Sequence, residues 1–486
     1  MAMEEDTSVS RLVVGFLRLL TGESQMVFGK AARVAQTEIS RFELGKEIPP
    51  EDKLRRMAKE AGVPWPVEPY LHRFFAAVLA IVEEQSRSFM KPLDWQGLEH
   101  ALLAVSPYLV EDLALEPKTL EGERREAEAI WSALQPFPME YRRRLIELFP
   151  HASRSWVLAV TLCGASVRAA SCDAQEALGL ADLSLWIAGQ VPGEARRCRV
   201  QGYCWAHMGN ARRVATDFDG ADEAFAQAWA LWRTGADFDS ELLPEWRLLS
   251  LEASLRRAEQ HFSEAMDLLD RARSASHGNM AATARILVKK SNVFEHMGDS
   301  ERALAVLLEA APFVEAAADP DLLLALRFNT ADNLGHLEKW EAAAALLPKV
   351  REVVAQQGGE MNRLRLVWLE SRIAAGLRRP EEAKAALEQV RQRFTDLELP
   401  YEAALVSLEL AILWLQAGRN AEAALIAVEM KWIFDDKKIQ REALAALKLF
   451  CDAAEQEAAT VELARRVIAD VERAERSGPP MGSGKG

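Results

Sequence analysis

The sequence predicts an all-α chain in which a small unit of short helices precedes a long solenoid of stacked helix pairs. Three observations carry this. Ala, Leu, Glu and Arg dominate the 486 residues while Tyr occurs only 5 times, a composition that favours helix and offers little to strands. A registered pair of small residues recurs seven times through the C-terminal two-thirds. Helix caps and breaks in the first sixty residues mark a separate unit ahead of that array.

A chain of this length exceeds what one core can organise, and a repeat array escapes the limit by growing along one dimension. The formal charge of -14 excludes a general nucleic-acid coat. Only residues 11–62 are net positive, with ten Lys or Arg against seven Asp or Glu. The five cysteines, Cys163, Cys172, Cys198, Cys204 and Cys451, show no paired or metal-ligand spacing. They read as reduced thiols of a cytoplasmic protein. The opening MAMEEDTSVS is acidic, unlike an export signal, and residues 1–10 are expected to be disordered. The longest apolar stretch, Phe74 to Val82, is about half of a bilayer span, so no membrane segment is expected.

The N-terminal unit divides at its own punctuation. Arg11 to Leu20 places apolar residues on one face before Thr21-Gly22-Glu23 breaks it. Ser24 is an N-cap residue for Gln25–Ala32. A tight connection leads to Gln36–Phe42, which Leu44-Gly45 ends, and Pro50 opens a fourth helix running to Ala61, with Gly62 as its C-cap.

These residues resemble the Cro/C1-type (XRE) helix-turn-helix family. The carriers are Ser24-Gln25 at the second helix, Ile39-Ser40 in the third, then Glu43 and Gly45, with Arg18 placed to pair with Glu43. The stretch RFELGKEIPPEDKLRRMAKEAGVP is close to the family's closing segment. The resemblance implies that residues 11–64 bind double-stranded DNA as part of a homodimer. Gln25 and Ser40 would touch phosphates, while Gln36, Thr37 and Arg41 would face base edges. Lys30, Arg33 and Lys46 would add phosphate contacts. Two positions depart from the pattern: Arg33 stands where the family has a Gly at positive φ, and Gly29 where it has a small Ala. Glu38 also brings negative charge to the reading helix.

Residues 65–150 are predicted to be a helical linker domain punctuated by Pro136, Pro138 and Pro150. Phe74, Phe75, Trp95 and Trp131 are assigned to its core.

The array declares itself in WAHMGNARRVATDFDGADEAFAQAWAL, residues 205–231. Antiparallel helices approach closely only where small side chains meet. Ala177, Ala221, Ala265, Ala303, Ala343, Ala383 and Ala423 are separated by 44, 44, 38, 40, 40 and 40 residues. Twelve residues before each stands a small partner: Ala165, Gly209, Ala253, Ser291, Ala331, Ser371 and Ala411. These units are similar to tetratricopeptide repeats, with Trp205, Gly209, Ala221, Phe225 and Ala228 on signature positions. The resemblance implies a right-handed solenoid over residues 151–475, with lengthened helices. Arg441 to Arg473, containing Ala464, forms its terminal cap, and 476–486 is expected to be a disordered tail.

In such arrays the inner helices present the binding groove. Counting from the small residue, that face holds Tyr203, Asn210, Arg213, Arg257, Arg285, Asn292, Asp332, Arg365, Trp368 and Arg372. Arginines there can clamp carboxylates and Asn side chains can pair with an extended peptide. The alternative is that these arginines are simply paired with neighbouring Glu.

Nothing points to an enzyme. The eight histidines are scattered, and GxGxxG, GxxxxGK[ST] and HExxH are absent. No catalytic residue, metal site or cofactor is expected. The sequence therefore predicts a DNA-binding transcriptional regulator whose solenoid senses a peptide or protein. The alternative is an interaction scaffold or adaptor whose head no longer reads DNA.

Overall fold

A computed structural model describes residues 12–18, 21, 23–61, 119–135, 137–147, 152–170, 173–357, 359–430, 433, 441–455 and 458–477. The expectations for residues 1–10, for Phe74, Phe75 and Trp95, for Gly62 and Cys172, and for most of the linker lie outside these residues. Among the described residues every regular element is helical. The chain forms two compact units, one of residues up to 215 with 222–243, the other of 216–221 with 244 onward.

The first unit begins with α1 (residues 12–18), α2 (Gln25–Ala31), α3 (Gln36–Glu43) and α4 (Glu51–Glu60). Their apolar faces supply a core of Val13, Val14, Leu17, Phe28, Ile39, Phe42, Leu54 and Met57. Ser24 caps α2, its Oγ accepting from Val27 N at 3.4 Å. Ala35 has no acceptor to cap α3, so Glu38 reaches back and its Oε2 accepts from Ala35 N at 3.3 Å. Gly29 does more than tolerate close packing: a Cβ there would lie 2.7 Å from the Val34 carbonyl oxygen. Alanine, the better helix former, does not fit this turn without movement.

Arg33 sits in the α2–α3 turn at φ +55°. A left-handed conformation costs an L side chain about 1–2 kcal/mol, more than glycine loses in the unfolded chain. Arg33→Gly is therefore expected to stabilise the turn by about 1 kcal/mol, read as slower hydrogen exchange at Val34 and Ile39. Unchanged or faster exchange would show that the left-handed backbone at Arg33 holds no strain that glycine relieves; the bond from Arg56 Nη1 to the residue-33 carbonyl, at 3.3 Å, is available to both residues.

The same unit continues with α5 (Leu120–Leu134), α6 (Met139–Glu147), α7 (Trp156–Ala169), α8 (Ala174–Ala188), α9 (Glu194–Val214) and α10 (Phe218–Thr234). Trp131 is buried, as the sequence suggested. Beside it the buried Arg142 donates to the Phe137 carbonyl at 2.8 Å and to Glu176 Oε1 at 2.5 Å, which ties α6 to α8. Helices α9 and α10 meet backbone to backbone. A Cβ on Gly202 would lie 2.7 Å from Trp232 N, and one on Gly235 would lie 2.4 Å from Arg199 N.

The second unit stacks α11 (Glu245–Ala258), α12 (Phe262–Ala275), α13 (Met280–His296), α14 (Ser300–Ala317), α15 (Pro320–His336), α16 (Trp340–Gln357), α17 (Glu360–Gly376) and α18 (Pro380–Asp396). It ends with α19 (Pro400–Gln416), α20 (Asn420–Glu429), α21 (Arg441–Glu455) and α22 (Val461–Ser477). The last helix runs two residues into the segment expected to be a disordered tail.

Every one of the paired small residues named from the sequence is buried. In the five pairs from α11 to α20 the turn repeats one solution. Gln260, Gly298, Glu338, Arg378 and Gly418 all adopt positive φ. The next residue's N–H then bonds back six to one, as from Lys339 to Leu334 at 2.8 Å and from Arg379 to Ala374 at 2.9 Å, closing the helix end. Only two of these five positions are glycine, which is why glycine alone did not mark the turns.

Candidate binding surfaces

On the head, α3 is held from behind. Glu43 accepts from Arg18 Nε at its Oε1 and from Gln25 Nε2 at its Oε2, both at 2.5 Å. Ile39 and Phe42 anchor the same helix in the core. Gln36, Thr37 and Arg41 remain exposed on it, and Lys30, Arg33 and Lys46 are exposed nearby in the chain. Ser40 is half-buried. Gln25, assigned to phosphate, spends its amide N–H on Glu43. Arg41 Nη1 contacts Glu47 Oε1 at 2.9 Å, with the side chains 59 % and 47 % exposed. A pair that open costs little to break. Glu38 is turned to structural use: the hydrogen bond from Lys53, 2.5 Å away, and that from Ala35 N hold its carboxyl below the ordinary range.

Two inner-face candidates of the first unit do not reach an open groove. Tyr203 is 6 % exposed and packs on His207 with ring centroids 4.8 Å apart. Asn210 is 4 % exposed, and its Oδ1 accepts from Arg213 Nη2 at 3.1 Å. The physical reason is their glycine neighbours, Gly202 and Gly209, which draw α10 onto this stretch of α9. The same unit brings Cys163 Sγ within 3.6 Å of Cys204 Sγ. Both are fully buried, and burial pushes the Cys204 thiol up, so they are inert as thiols.

In the second unit the inner helices are joined by a polar ladder. Lys289 Nζ donates to Ser254 Oγ at 2.9 Å and to the Ser250 carbonyl at 2.6 Å. Asn329 Nδ2 donates to Asn292 Oδ1 at 3.0 Å, and Asn333 Nδ2 to Glu295 Oε1 at 2.6 Å. Arg372 Nη1 donates to Asp332 Oδ1 at 2.7 Å, and its Nε lies 3.5 Å from Glu409 Oε1. His336 Nε2 stands 3.3 Å from Asp332 Oδ2. Trp368 Nε1 closes the set on Glu409 Oε2 at 2.7 Å.

These groups are crowded yet reachable, with Asp332 and Arg372 each 26 % exposed and Glu409 20 %. Burial alone would raise Asp332, but the Arg372 charge and the His336 bond overcome it and hold the carboxyl at about 2. At Glu409 and Glu295 burial prevails and the carboxyls are pushed up. Burial also lowers Arg257, with Glu295 offsetting part of the effect.

Of the other candidates, Arg285 is ion-paired to Asp319, which also caps α15, and Arg365 is exposed. Residue-by-residue reading missed Lys289, Glu295, Asn329, Asn333, His336 and Glu409. A signal was available. The residue after the small position in one repeat (254, 292, 372) bonds the residue two before it in the next (289, 329, 409). The remaining step would fall on Leu369, and there Asp332 turns to Arg372 instead.

Among the described residues no cluster of His, Cys, Asp and Glu is arranged to hold a metal. No described helix is long and apolar enough to cross a membrane.

No protein-family model matches the chain, and no curated protein matches it. Its structure is similar to a signal-transduction ATPase with numerous domains from Pyrococcus horikoshii that carries a tetratricopeptide-repeat sensor. The TM-score is 0.50 at 13 % identity, over 97 % of this chain and 62 % of that one. The chain thus spans less than two-thirds of that protein. It is also similar to Bacillus thuringiensis PlcR in complex with the peptide PapR7 and DNA. There the TM-score is 0.29 at 15 % identity, over 64 % of this chain and 96 % of that one. The first likeness shows the fold, an α-solenoid of tetratricopeptide-like helix pairs, and the second is too distant to add to it.

Proposed function

We propose that this chain is a non-enzymatic, DNA-binding transcriptional regulator whose helical array senses a peptide or protein. The observation that supports it most is the state of α3. Its apolar face is fixed in the core, Glu43 is braced by Arg18 and Gln25, and Gln36, Thr37 and Arg41 are left exposed. Those three side chains are of the types that read base edges: Gln pairs with adenine, Arg with guanine and the Thr methyl with thymine. The Cro/C1-type resemblance of residues 11–64 assigns the same role to the same positions. A lone head of this size buries too little surface for tight specific binding, so the reading includes a homodimer.

The sensing step follows from the ladder. A ligand shifts an equilibrium only as far as it prefers one state over the other. Cross-repeat bonds such as Asn292–Asn329 and Arg372–Glu409 differ between relative positions of adjacent inner helices. A ligand that exchanges them therefore distinguishes those positions.

The test is recovery of genomic DNA bound to the tagged full chain, beside a Gln36→Ala, Arg41→Ala double variant. Discrete sites sharing an inverted repeat are expected for the wild type. Each lost base contact costs about 1–3 kcal/mol, so occupancy in the variant should fall by about tenfold or more. Absence of enriched sites for a folded, abundant protein would sink DNA reading. The scaffold alternative would then stand.

A further inference from the structure

Two outer helices of the second unit carry a proline in their interior, Pro312 in α14 and Pro348 in α16. A proline there withholds an N–H and presses its ring on the carbonyl four residues back, which weakens or kinks the helix. The carbonyls deprived are those of Leu308 and Ala344. Both prolines are exposed, so neither serves to fill a core. The prolines that open α15, α18 and α19 are of another kind, since each stands in the first turn, where no helical bond is lost.

The same two helices stand apart in how their cores are divided. Among the described residues, buried apolar side chains around α14, such as Leu287, Leu307, Ala310 and Leu326, form one cluster. Those around α16, such as Ala331, Leu347, Val350 and Leu369, form a second. From α18 to α22 a single cluster continues through Leu387, Leu408, Ile426, Leu447 and Val467. Close-packed apolar clusters move as bodies, and displacement falls on the joints between them.

Polar side chains span these joints. Asn329 and Asn333 tie α15 to α13, and Arg372 ties α17 to α15. Arg327 Nη1 donates to the Lys349 carbonyl at 3.0 Å, one residue past Pro348. Within α15, Thr330 Oγ1 donates to the Leu326 carbonyl at 2.6 Å, a back-bond of the kind that bends helices.

We infer that α13 to α17 form a hinge in the second unit, with α18 to α22 as the rigid body beyond it. Pro312 and Pro348 soften the outer helices, and the polar contacts of the inner helices set the resting bend. The inference goes beyond the regulator reading and holds whether or not the head binds DNA.

The test measures distances in the full chain by double electron–electron resonance. Spin labels are introduced as a non-natural amino acid, which leaves the five cysteines untouched. One labelled pair replaces Arg271 on α12 and Glu388 on α18, three outer-helix steps apart, or about 30 Å at about 10 Å per step. The control pair replaces Glu388 and Arg466, on two helices of the single C-terminal cluster. All three positions are exposed. Each pair is measured with the native prolines and in a Pro312→Ala, Pro348→Ala double variant, and both proteins are melted.

The distribution across α14 and α16 is expected to be about twofold broader than the control or more, as for a hinge between rigid bodies. In the double variant it should narrow to the control width while the melting temperature holds or rises, because alanine restores the N–H donors and is the better helix former. Equal widths for the two pairs with native prolines overturn the hinge. A broad distribution that the variant leaves unchanged overturns it too, since the motion then lies elsewhere. A fall in melting temperature of about 5 °C or more in the variant does the same, because it marks the prolines as packing elements.

Discussion

Gly235→Ala is expected to cost about 3 kcal/mol, near the top of the range for overpacking substitutions. The added methyl would lie 2.4 Å from Arg199 N and 2.7 Å from the Ala195 carbonyl oxygen. Both obstacles are backbone of α9, so no rotamer change relieves the clash and two helices must separate. Gly164→Ala provides the contrast. In the middle of α7 its Cβ would meet nothing nearer than Arg168 Nη1 at 3.5 Å, and helix propensity should make it neutral or stabilising by up to about 1 kcal/mol. Denaturation midpoints of the two variants check this. Equal midpoints would mean that α9 and α10 are not in backbone contact.

Arg372→Ala should be comparably damaging. It leaves Asp332 and Glu409 facing each other's charge without their cation, and losing one partner of a buried pair costs about 3–5 kcal/mol. Because both carboxylates keep about a quarter of their exposure, about 2–3 kcal/mol is the better expectation. The variant also changes the shape of the acid limb. Asp332 is held at about 2 against an ordinary 3.8, so its contribution is fully present above pH 4 and is lost as pH falls through 2. Its size is about 2 kcal/mol in the wild type. Without Arg372 that limb should disappear. The Glu409 carboxyl, already raised by burial, should then make stability decline as pH rises above its ordinary 4.5. Parallel stability–pH curves for the two proteins would show that Arg372 is not what holds Asp332.

The fold was legible where packing demands a residue type at a fixed interval. Ala303 and Ser291, or Ala383 and Ser371, are buried partners because only a small side chain lets those helices touch. Ser24 as a cap and Arg18 against Glu43 were legible for a similar reason, since each rests on local geometry that one motif determines. The ladder was not. Whether Asn292 faces solvent or Asn329 depends on the register between helices some forty residues apart, which side-chain type alone does not encode. Counting from the small residue placed Asn292, Asp332 and Arg372 correctly on the inner helices but gave no sign that their hydrogen bonds were already committed. Tyr203 and Asn210 failed differently, because the Trp232 backbone opposite Gly202 and the Phe225 ring opposite Gly209 close over this stretch of α9.

The ladder also constrains the heat and selectivity of anything that docks along it. A newcomer at Asn292 Oδ1 or Arg372 Nη1 finds Asn329 or Asp332 already bonded there, so each such contact it takes over displaces one of similar strength. Little enthalpy is gained from such exchanges. Discrimination between ligands then depends on how well each one reproduces the internal bonds it displaces, and an ill-matched ligand is rejected because it leaves a rung broken. An array wired this way is tuned for choosing rather than for holding tightly.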